Sequence, residues 1–211
     1  MVSRLKICGI TNQADALACV KAGVDMLGFN FYRSSPRFIP VPNACSIIDL
    51  LPSTVTSVGI LVRPTLEEVL TIIATSGVNT VQLYEPQDIM DYSKIPVPVI
   101  IAYHVSDRFP GNIHNLFSDM ILIDSFAADK MGGSGQVFDW STVPDFIPRE
   151  RLVLAGGINP DNIFDALHQV NPAVIDVASG AEIFPGKKDI AKVTQLVEAV
   201  KIYNKEKSRY T

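Results

Sequence analysis

A single (β/α)8 barrel is the fold class this sequence predicts, and three observations predict it. Eight short apolar runs, each followed by a helix-like segment, alternate along the whole 211-residue chain. Most of these runs are continuously apolar rather than alternating, as strands buried on both faces of a parallel sheet must be. No glycine-rich dinucleotide fingerprint follows the first run, which weighs against the open doubly wound sheet that shares the same alternation. Such barrels usually take about 250 residues, so this one would be compact, with few insertions. Hydrophobic residues make up 47% of the chain and charged residues 19%, enough apolar material for one large core. No linker, low-complexity tract or repeat interrupts the pattern, so residues 1–211 read as one domain.

The elements follow in order. The first strand, 4–8 (RLKIC), leads into NQADALACVKAG, where Ala14, Leu17, Ala18 and Val20 fall near one helical stripe and Gly23 offers a C-cap. The second, 25–31 (DMLGFNF), leads into the loop FYRSSPRFI. The third, 55–61 (VTSVGIL), precedes TLEEVLTIIATSG, in which Thr65 and Glu68 have the spacing of a capping box. The fourth and fifth are 79–83 (NTVQL) and 97–103 (VPVIIAY), and the sixth is 119–124 (DMILID). The connections 104–118 and 139–148 carry the weakest helical patterns, and Phe138 with Trp140 would anchor the latter in the core. The seventh strand, 151–155 (RLVLA), precedes NPDNIFDALHQV, with Asn159 as N-cap and Pro160 at the first helical position. The eighth, 173–178 (AVIDVA), is followed by a last helix from about Lys188 to Tyr203 and a solvated tail, NKEKSRYT.

Composition narrows the function. A net charge of −4 and a pI near 5.3 argue against nucleic acid as a partner. A small anionic ligand stays open, because a local site can be positive on an acidic protein. Cys8, Cys19 and Cys45 show no CxxC spacing, so neither a disulfide framework nor a zinc site is expected. His104, His114 and His168 form no metal-like cluster in the sequence. There is no window long enough to span a bilayer and no signal-peptide pattern, so no membrane partner and a cytoplasmic location are expected.

In this fold the active site lies at the C-terminal ends of the strands. The residues there are Cys8, the Arg33–Arg37 loop, Arg63, Gln82, His104, Asp124, Gly156-Gly157 and Ser179-Gly180. Loops after strands 7 and 8 commonly form a phosphate site, and glycine lets backbone N–H groups approach an anion. Gly156, Gly157, Ser179 and Gly180 are the candidates. Lys6 and Cys8 are two apart on a strand and face the same side. If that side is the barrel interior, the Lys6 ammonium would favour a Cys8 thiolate, and Asp176 on the neighbouring strand would partner the buried lysine. Asp124 ends its apolar run as either a loop aspartate or an acid. Arg37, stiffened by Pro36, suits bidentate binding of a carboxylate. The loop MGGSGQVFDW, with Gly132, Gly133 and Gly135, reads as a lid or a plain flexible connection.

KICGIT, GFNFYRSSPRFI, GGSGQVFDW, LAGGINPDN and DVASGAE…PGKKD, in this order, resemble the phosphoribosylanthranilate isomerase family of tryptophan biosynthesis. The motifs span nearly the whole chain. The resemblance implies a (β/α)8 barrel that converts N-(5-phosphoribosyl)anthranilate to 1-(2-carboxyphenylamino)-1-deoxyribulose 5-phosphate. That reaction is an Amadori rearrangement, which needs no cofactor and no metal. It implies Cys8 as general base, Asp124 as general acid, Arg37 on the anthranilate carboxylate, and the glycines after strands 7 and 8 on the phosphate. Asp176 and Gln82 are placed with the substrate, and the chain would act as a monomer or homodimer. One motif departs from the family: VQLHG is here Val81-Gln82-Leu83-Tyr84-Glu85. Glutamate in place of a glycine that needs a positive φ predicts that this loop takes another path, and its carboxylate could repel an anionic substrate. Two other readings stand beside the isomerase. One is a different phosphosugar isomerase or epimerase, which would not need Arg37. The other is a barrel that binds the metabolite without turning it over, which only the Tyr84-Glu85 change favours.

Overall fold

Strands that are apolar on both faces need an inner core and an outer layer of helices, and the chain closes on itself to supply both. The computed structural model describes residues 2–86, 91–104, 118–124, 140 and 143–209. Its strands are β1 (Arg4–Cys8), β2 (Met26–Asn30), β3 (Thr56–Val62), β4 (Thr80–Tyr84), β5 (Val99–His104), β6 (Met120–Asp124), β7 (Leu152–Ala155) and β8 (Val174–Val177). They form a closed barrel in sequence order. Every neighbouring pair is parallel, and β8 closes on β1 with Lys6 opposite Asp176. All eight predicted runs are strands, and the largest shift is the start of the fifth, from 97 to 99.

Strand alternation divides the core in two. Met26, Val58, Ile100, Ala102, Leu122, Val153 and Val174 fill the barrel. Leu5, Ile7, Leu27, Phe29, Ile123, Leu154 and Ile175 face outward, among the helix residues Ala16, Leu167, Leu196 and Val200. Each fully buried aliphatic side chain stabilises the fold by about 1.5–3 kcal/mol relative to exposure. Trp140 is buried in this outer layer, as expected.

Among the described residues the α-helices are α1 (Gln13–Ala22), α2 (Val41–Ile48), α3 (Leu66–Ser76), α4 (Ile163–Val170) and α5 (Ile190–Lys207). The Thr65–Glu68 capping box starts α3 as predicted, and Gly23 ends α1 at φ 101°. Three expectations need correction. The face of α1 turned inward is Asp15, Ala16 and Cys19, while Leu17 is 39% exposed. Apolar residues surround this helix, so their spacing does not choose a face. Asp15 chooses it by accepting hydrogen bonds from Lys187 Nζ and the Lys188 N–H. Second, α4 begins at Ile163, not after Asn159. Asn159 instead accepts from the Asp161 N–H in a turn of its own, and Asn162 Oδ1 accepts from the Asn159 N–H. Third, α5 runs on to Lys207. The start of the supposed tail is held, because Asn204 exchanges two 2.8 Å hydrogen bonds with the Ser3 backbone.

The weak helix at 104–118 lies almost wholly outside the described residues. Of 139–148, the described part is turns leading to a 3-10 turn at Arg149–Arg151. Phe138, His114, Gly132, Gly133, Gly135 and the side chain of His104 also lie outside. After β8 a short antiparallel hairpin, β9 (Glu182–Phe184) with β10 (Lys187–Lys188), precedes α5. No helix among the described residues is long and apolar enough to cross a membrane, and no cluster of potential metal ligands occurs among them.

Candidate active site

The same alternation that points Lys6 into the barrel points Cys8 there, one layer nearer the mouth. A cavity of about 390 Å³ opens at the C-terminal ends of the strands, lined by Cys8, Arg37, Tyr84, Asp124 and Asp176. Gly156, Gly157 and Ser179 complete one wall. Two carboxyl groups, a thiol, a phenol and a guanidinium thus face one space.

Beneath the cavity, Lys6 Nζ donates to Asp176 Oδ2 at 2.8 Å, and both side chains are buried. This is the partner that in-register pairing of β1 and β8 required. Burial would lower the lysine pKa, but Asp176 outweighs it and holds Lys6 above its ordinary value. The expectation for Cys8 is corrected. Burial pushes its thiol up, and the opposing pull of Lys6 does not cancel that, with the Asp176 charge adding to the rise. Cys8 is therefore mainly a thiol at neutral pH.

Gly28 on the adjacent strand makes room for the sulfur. A Cβ there would sit 3.0 Å from Cys8 Sγ, 3.1 Å from Cys8 Cα and 3.1 Å from Ile60 Cδ1. Gly28→Ala should displace the thiol, lowering turnover about 10²-fold, since misplacement by ~1 Å costs that much. The fold should lose about 1–3 kcal/mol from overpacking. Steady-state kinetics beside a melting curve checks this, and unchanged turnover would show that the sulfur is not held here.

Arg37 reaches across the chain after β1. Gly9, at φ 80°, permits this, because a Cβ at Gly9 would lie 2.5 Å from Arg37 Cδ. The guanidinium grips Glu182, with Nε donating to Oε1 at 3.0 Å and Nη2 to Oε2 at 2.7 Å. Glu182 also accepts from Lys188 Nζ at 2.7 Å and the Gly186 N–H at 3.1 Å. Lys188 Nζ, fully buried, donates as well to the carbonyl of Cys8 at 2.6 Å. The hairpin after β8 therefore holds both the arginine and the backbone of the thiol. Thr11 Oγ1 adds a 2.6 Å bond to the Gly186 carbonyl. KICGIT, SPR and PGKK are in this sense one three-loop clamp.

Burial acts to raise the Glu182 carboxyl, but hydrogen bonds from Arg37 and Lys188 outweigh it and hold the group below its ordinary value of 4.5. A depressed folded-state pKa contributes stability that is complete above 4.5 and lost as pH falls through the folded value. Glu182→Gln should cost about 1.5–3 kcal/mol at pH 7, typical of hydrogen bonds to charged groups. Its stability should also fall less steeply on acidification than that of the wild type. Parallel urea denaturation across acidic pH tests this, and equal slopes would contradict it.

Gly156 and Gly157 take φ values of 92° and 66°. The amides of Asn159 and Asn162 both donate to the Gly157 carbonyl, at 3.2 and 3.0 Å. A trans peptide then turns the Ile158 N–H to the opposite side. Gly180 lets the two loops touch, since a Cβ there would lie 2.0 Å from the Ile158 carbonyl oxygen. Gly156, Gly157 and Ser179 line the cavity, and Gly180 braces it from behind.

Gln82 is buried one layer below the cavity, and its Nε2 donates to Tyr84 Oη at 3.2 Å. Tyr84, not Gln82, lines the opening. Residues 87–90 of the altered loop lie outside the described residues, and its first residue is left-handed. Glu85 adopts φ 44°, left-handed, as a glycine would. Its carboxylate is exposed and lies 3.6 Å from Arg63, itself at φ 50°, and is not among the cavity-lining groups. The one feature that favoured a non-catalytic barrel loses its force.

Sequence reasoning missed Glu182, Lys188 and Tyr84. Tyr84 was visible as an odd residue in a motif and Glu182 as the last residue of DVASGAE, but the partner of Glu182 lies 145 residues away and no local spacing names it.

The family model of N-(5'phosphoribosyl)anthranilate isomerase matches residues 5–199. The N-(5'-phosphoribosyl)anthranilate isomerase of Trichlorobacter lovleyi is 38% identical over 200 residues, covering 94% of this chain and 98% of the relative. The crystal structure of phosphoribosyl anthranilate isomerase from Thermotoga maritima superposes with a TM-score of 0.80 at 38% identity, covering 95% of this chain and 99% of that one. A phosphoribosyl anthranilate isomerase in complex with reduced 1-(o-carboxyphenylamino)-1-deoxyribulose 5-phosphate matches at TM-score 0.76 and 36% identity, with the same coverage. A further Thermotoga maritima structure is of monomers generated from a dimeric protein. With the family model over most of its length and full-length relatives of this similarity, the chain belongs to the N-(5'-phosphoribosyl)anthranilate isomerase family.

Proposed function

We propose that this cavity carries out the family's reaction, isomerising N-(5'-phosphoribosyl)anthranilate to 1-(2-carboxyphenylamino)-1-deoxyribulose 5-phosphate, with Asp124 as general acid and Cys8 as general base. One observation carries the reading. Cys8 ends β1 and Asp124 ends β6, so the two flank β7 and β8, and all four strand ends open on the same space. A sugar whose phosphate sits on the β7 and β8 loops lies between acid and base.

The chemistry then follows from position. Gly156, Gly157 and Ser179, braced by Gly180, hold the phosphate. Arg37 offers its remaining N–H groups to the anthranilate carboxylate while Glu182 fixes its plane. Asp124 gives a proton to the ribose ring oxygen, and the C1′–O bond breaks to leave a Schiff base. The cationic nitrogen acidifies C2′–H, and the Cys8 thiolate removes that proton. The resulting enolamine tautomerises to the ketone. Electrons pass from C2′ to C1′ within the substrate, so the sequence of steps calls for no external redox partner. Asp176 Oδ1, buried and with no hydrogen-bond partner among the described residues, is an acceptor for a sugar hydroxyl. Gln82 acts one layer below. Three free cysteines fit a reducing compartment such as the cytoplasm.

Because burial keeps Cys8 protonated in the free protein, the base works from a minor thiolate fraction. Each pKa unit above the working pH costs about 1.4 kcal/mol. The thiolate fraction should therefore climb as pH rises from neutral toward the raised thiol pKa, and with it the rate constant of the proton-removal step. Anthranilate derivatives fluoresce, so consumption of the substrate by the purified chain follows directly. Binding without turnover would sink the catalytic reading.

A further inference from the structure

Lys6 and Lys188 are the buried lysines among the described residues, and the charges of both bear on Cys8. They differ in what balances them. Lys6 is paired one to one with Asp176, and the two act on the thiol in opposite directions. Lys188 shares its carboxylate. Glu182 accepts from Lys188 Nζ at 2.7 Å and also from Nε and Nη2 of Arg37, at 3.0 and 2.7 Å. Two cations on one carboxylate leave that cluster with a positive charge in excess, whereas the Lys6–Asp176 pair sums to zero. In the free protein the excess charge near Cys8 therefore belongs to the hairpin, and a nearby cation favours a thiolate.

Lys188 also touches the residue itself. Its Nζ donates to the Cys8 carbonyl at 2.6 Å. Carbonyl and sulfur belong to one residue, so a shift of the first carries the second. The backbone end of Lys188 is fixed too, because Asp15 accepts its N–H at 2.8 Å while bonding Lys187 Nζ. A buried ammonium held at both ends is a stiff strut, and its bonds are charge-assisted. The other charged or titratable groups around the thiol come from several strands: Lys6 and Asp176 below, Arg37, Tyr84 and Asp124 around the cavity.

We propose that Lys188 is a positioning residue for the general base: through the Cys8 carbonyl it fixes where the sulfur stands, and it sets an ammonium charge beside the thiol, separately from the grip of Glu182 on Arg37. This rests on the role given to Cys8 under the proposed function.

Lys188→Met keeps most of the side chain and removes the ammonium, and Arg37 retains both of its bonds to Glu182. Turnover of phosphoribosylanthranilate should fall about 10–100-fold in kcat, as displacement of a reacting group by ~1 Å does. Affinity for reduced 1-(2-carboxyphenylamino)-1-deoxyribulose 5-phosphate, measured by titration calorimetry, should stay near that of the wild type. The pH midpoint for iodoacetamide alkylation, followed on the Cys8 peptide by mass spectrometry, should rise. A lysine that merely stiffened the loops would give the opposite sign, because loosening exposes the thiol and moves its midpoint down toward that of an exposed cysteine. Wild-type kcat in the folded variant, a midpoint that falls or stays, or affinity lost as steeply as kcat would each overturn the inference. Should Lys188→Met not fold, Lys188→Met with Glu182→Gln, which removes one charge of each sign, is read against Glu182→Gln alone with the same expectations. A wild type without turnover fails the proposed function, and the alkylation midpoint still decides whether Lys188 acts on Cys8.

Discussion

Cys8→Ala is expected to lower kcat by about 10²–10⁴-fold or more, the usual contribution of a positioned acid–base group. Affinity for the reduced product should barely change, because the lost atom serves chemistry and not anchoring. The fold should survive. Cys8 is partly accessible and lines the cavity, so its sulfur borders space that is already open. Removing one sulfur therefore opens little empty space. Alkylation supplies an independent reading of the same group. Burial raises its pKa above the ordinary 9.0, so the pH midpoint for reaction of Cys8 with iodoacetamide should lie above that of an exposed cysteine. A midpoint well below 9 would mean that Lys6 dominates after all.

Lys6→Met carries the largest expected effect on stability. Lys6 is fully buried and Asp176 nearly so, and removing one partner strands a charge in the barrel interior. Breaking such a pair costs about 3–5 kcal/mol, a large part of the total for a domain of ordinary stability. The sign with pH is fixed by Lys6, whose folded-state pKa is raised above 10.5. Its contribution is complete below that value and lost as pH rises through the folded one. Denaturant titrations should thus show the wild type ahead at pH 7 and the gap closing in strong alkali. Since Lys6 also draws the Cys8 pKa down, the thiol midpoint in any folded Lys6→Met should rise further. A thiol pKa that stays put would show that the lysine does not bear on the base. Lys6→Met with Asp176→Asn removes both charges and should recover part of the stability, which separates the cost of an orphaned carboxylate from lost packing.

Much of this could be read from residues alone, for a definite reason. Continuous apolar runs have few ways to be buried, so β1–β8 were legible almost to the residue. Lys6 and Asp176 were legible as a pair, because adjacent parallel strands put their inner side chains side by side. The Thr65 cap was legible because its partner is three residues away. What failed depended on distance or balance. The buried face of α1 is decided by Asp15 meeting Lys187, 172 residues on. The carboxylate that fixes Arg37 comes from a hairpin with no helical or strand pattern of note. The Cys8 pKa is a contest between burial and Lys6, and residue spacing names both contestants without their strengths. The Glu85 loop shows the limit of a glycine argument, since a left-handed residue at a strand end can be kept by its neighbours at some strain.

The central claim is that one carboxylic acid and one thiol act in succession on a single bound sugar. Turnover of phosphoribosylanthranilate by wild type, Cys8→Ala, Asp124→Asn and the double variant tests it most directly. Ring opening and proton removal are consecutive, so the slower lost step limits the rate. The account predicts that each single variant falls by about 10²–10⁴-fold or more and that the double variant is no slower than the worse of the two. Near-wild-type turnover in either folded single variant would contradict it.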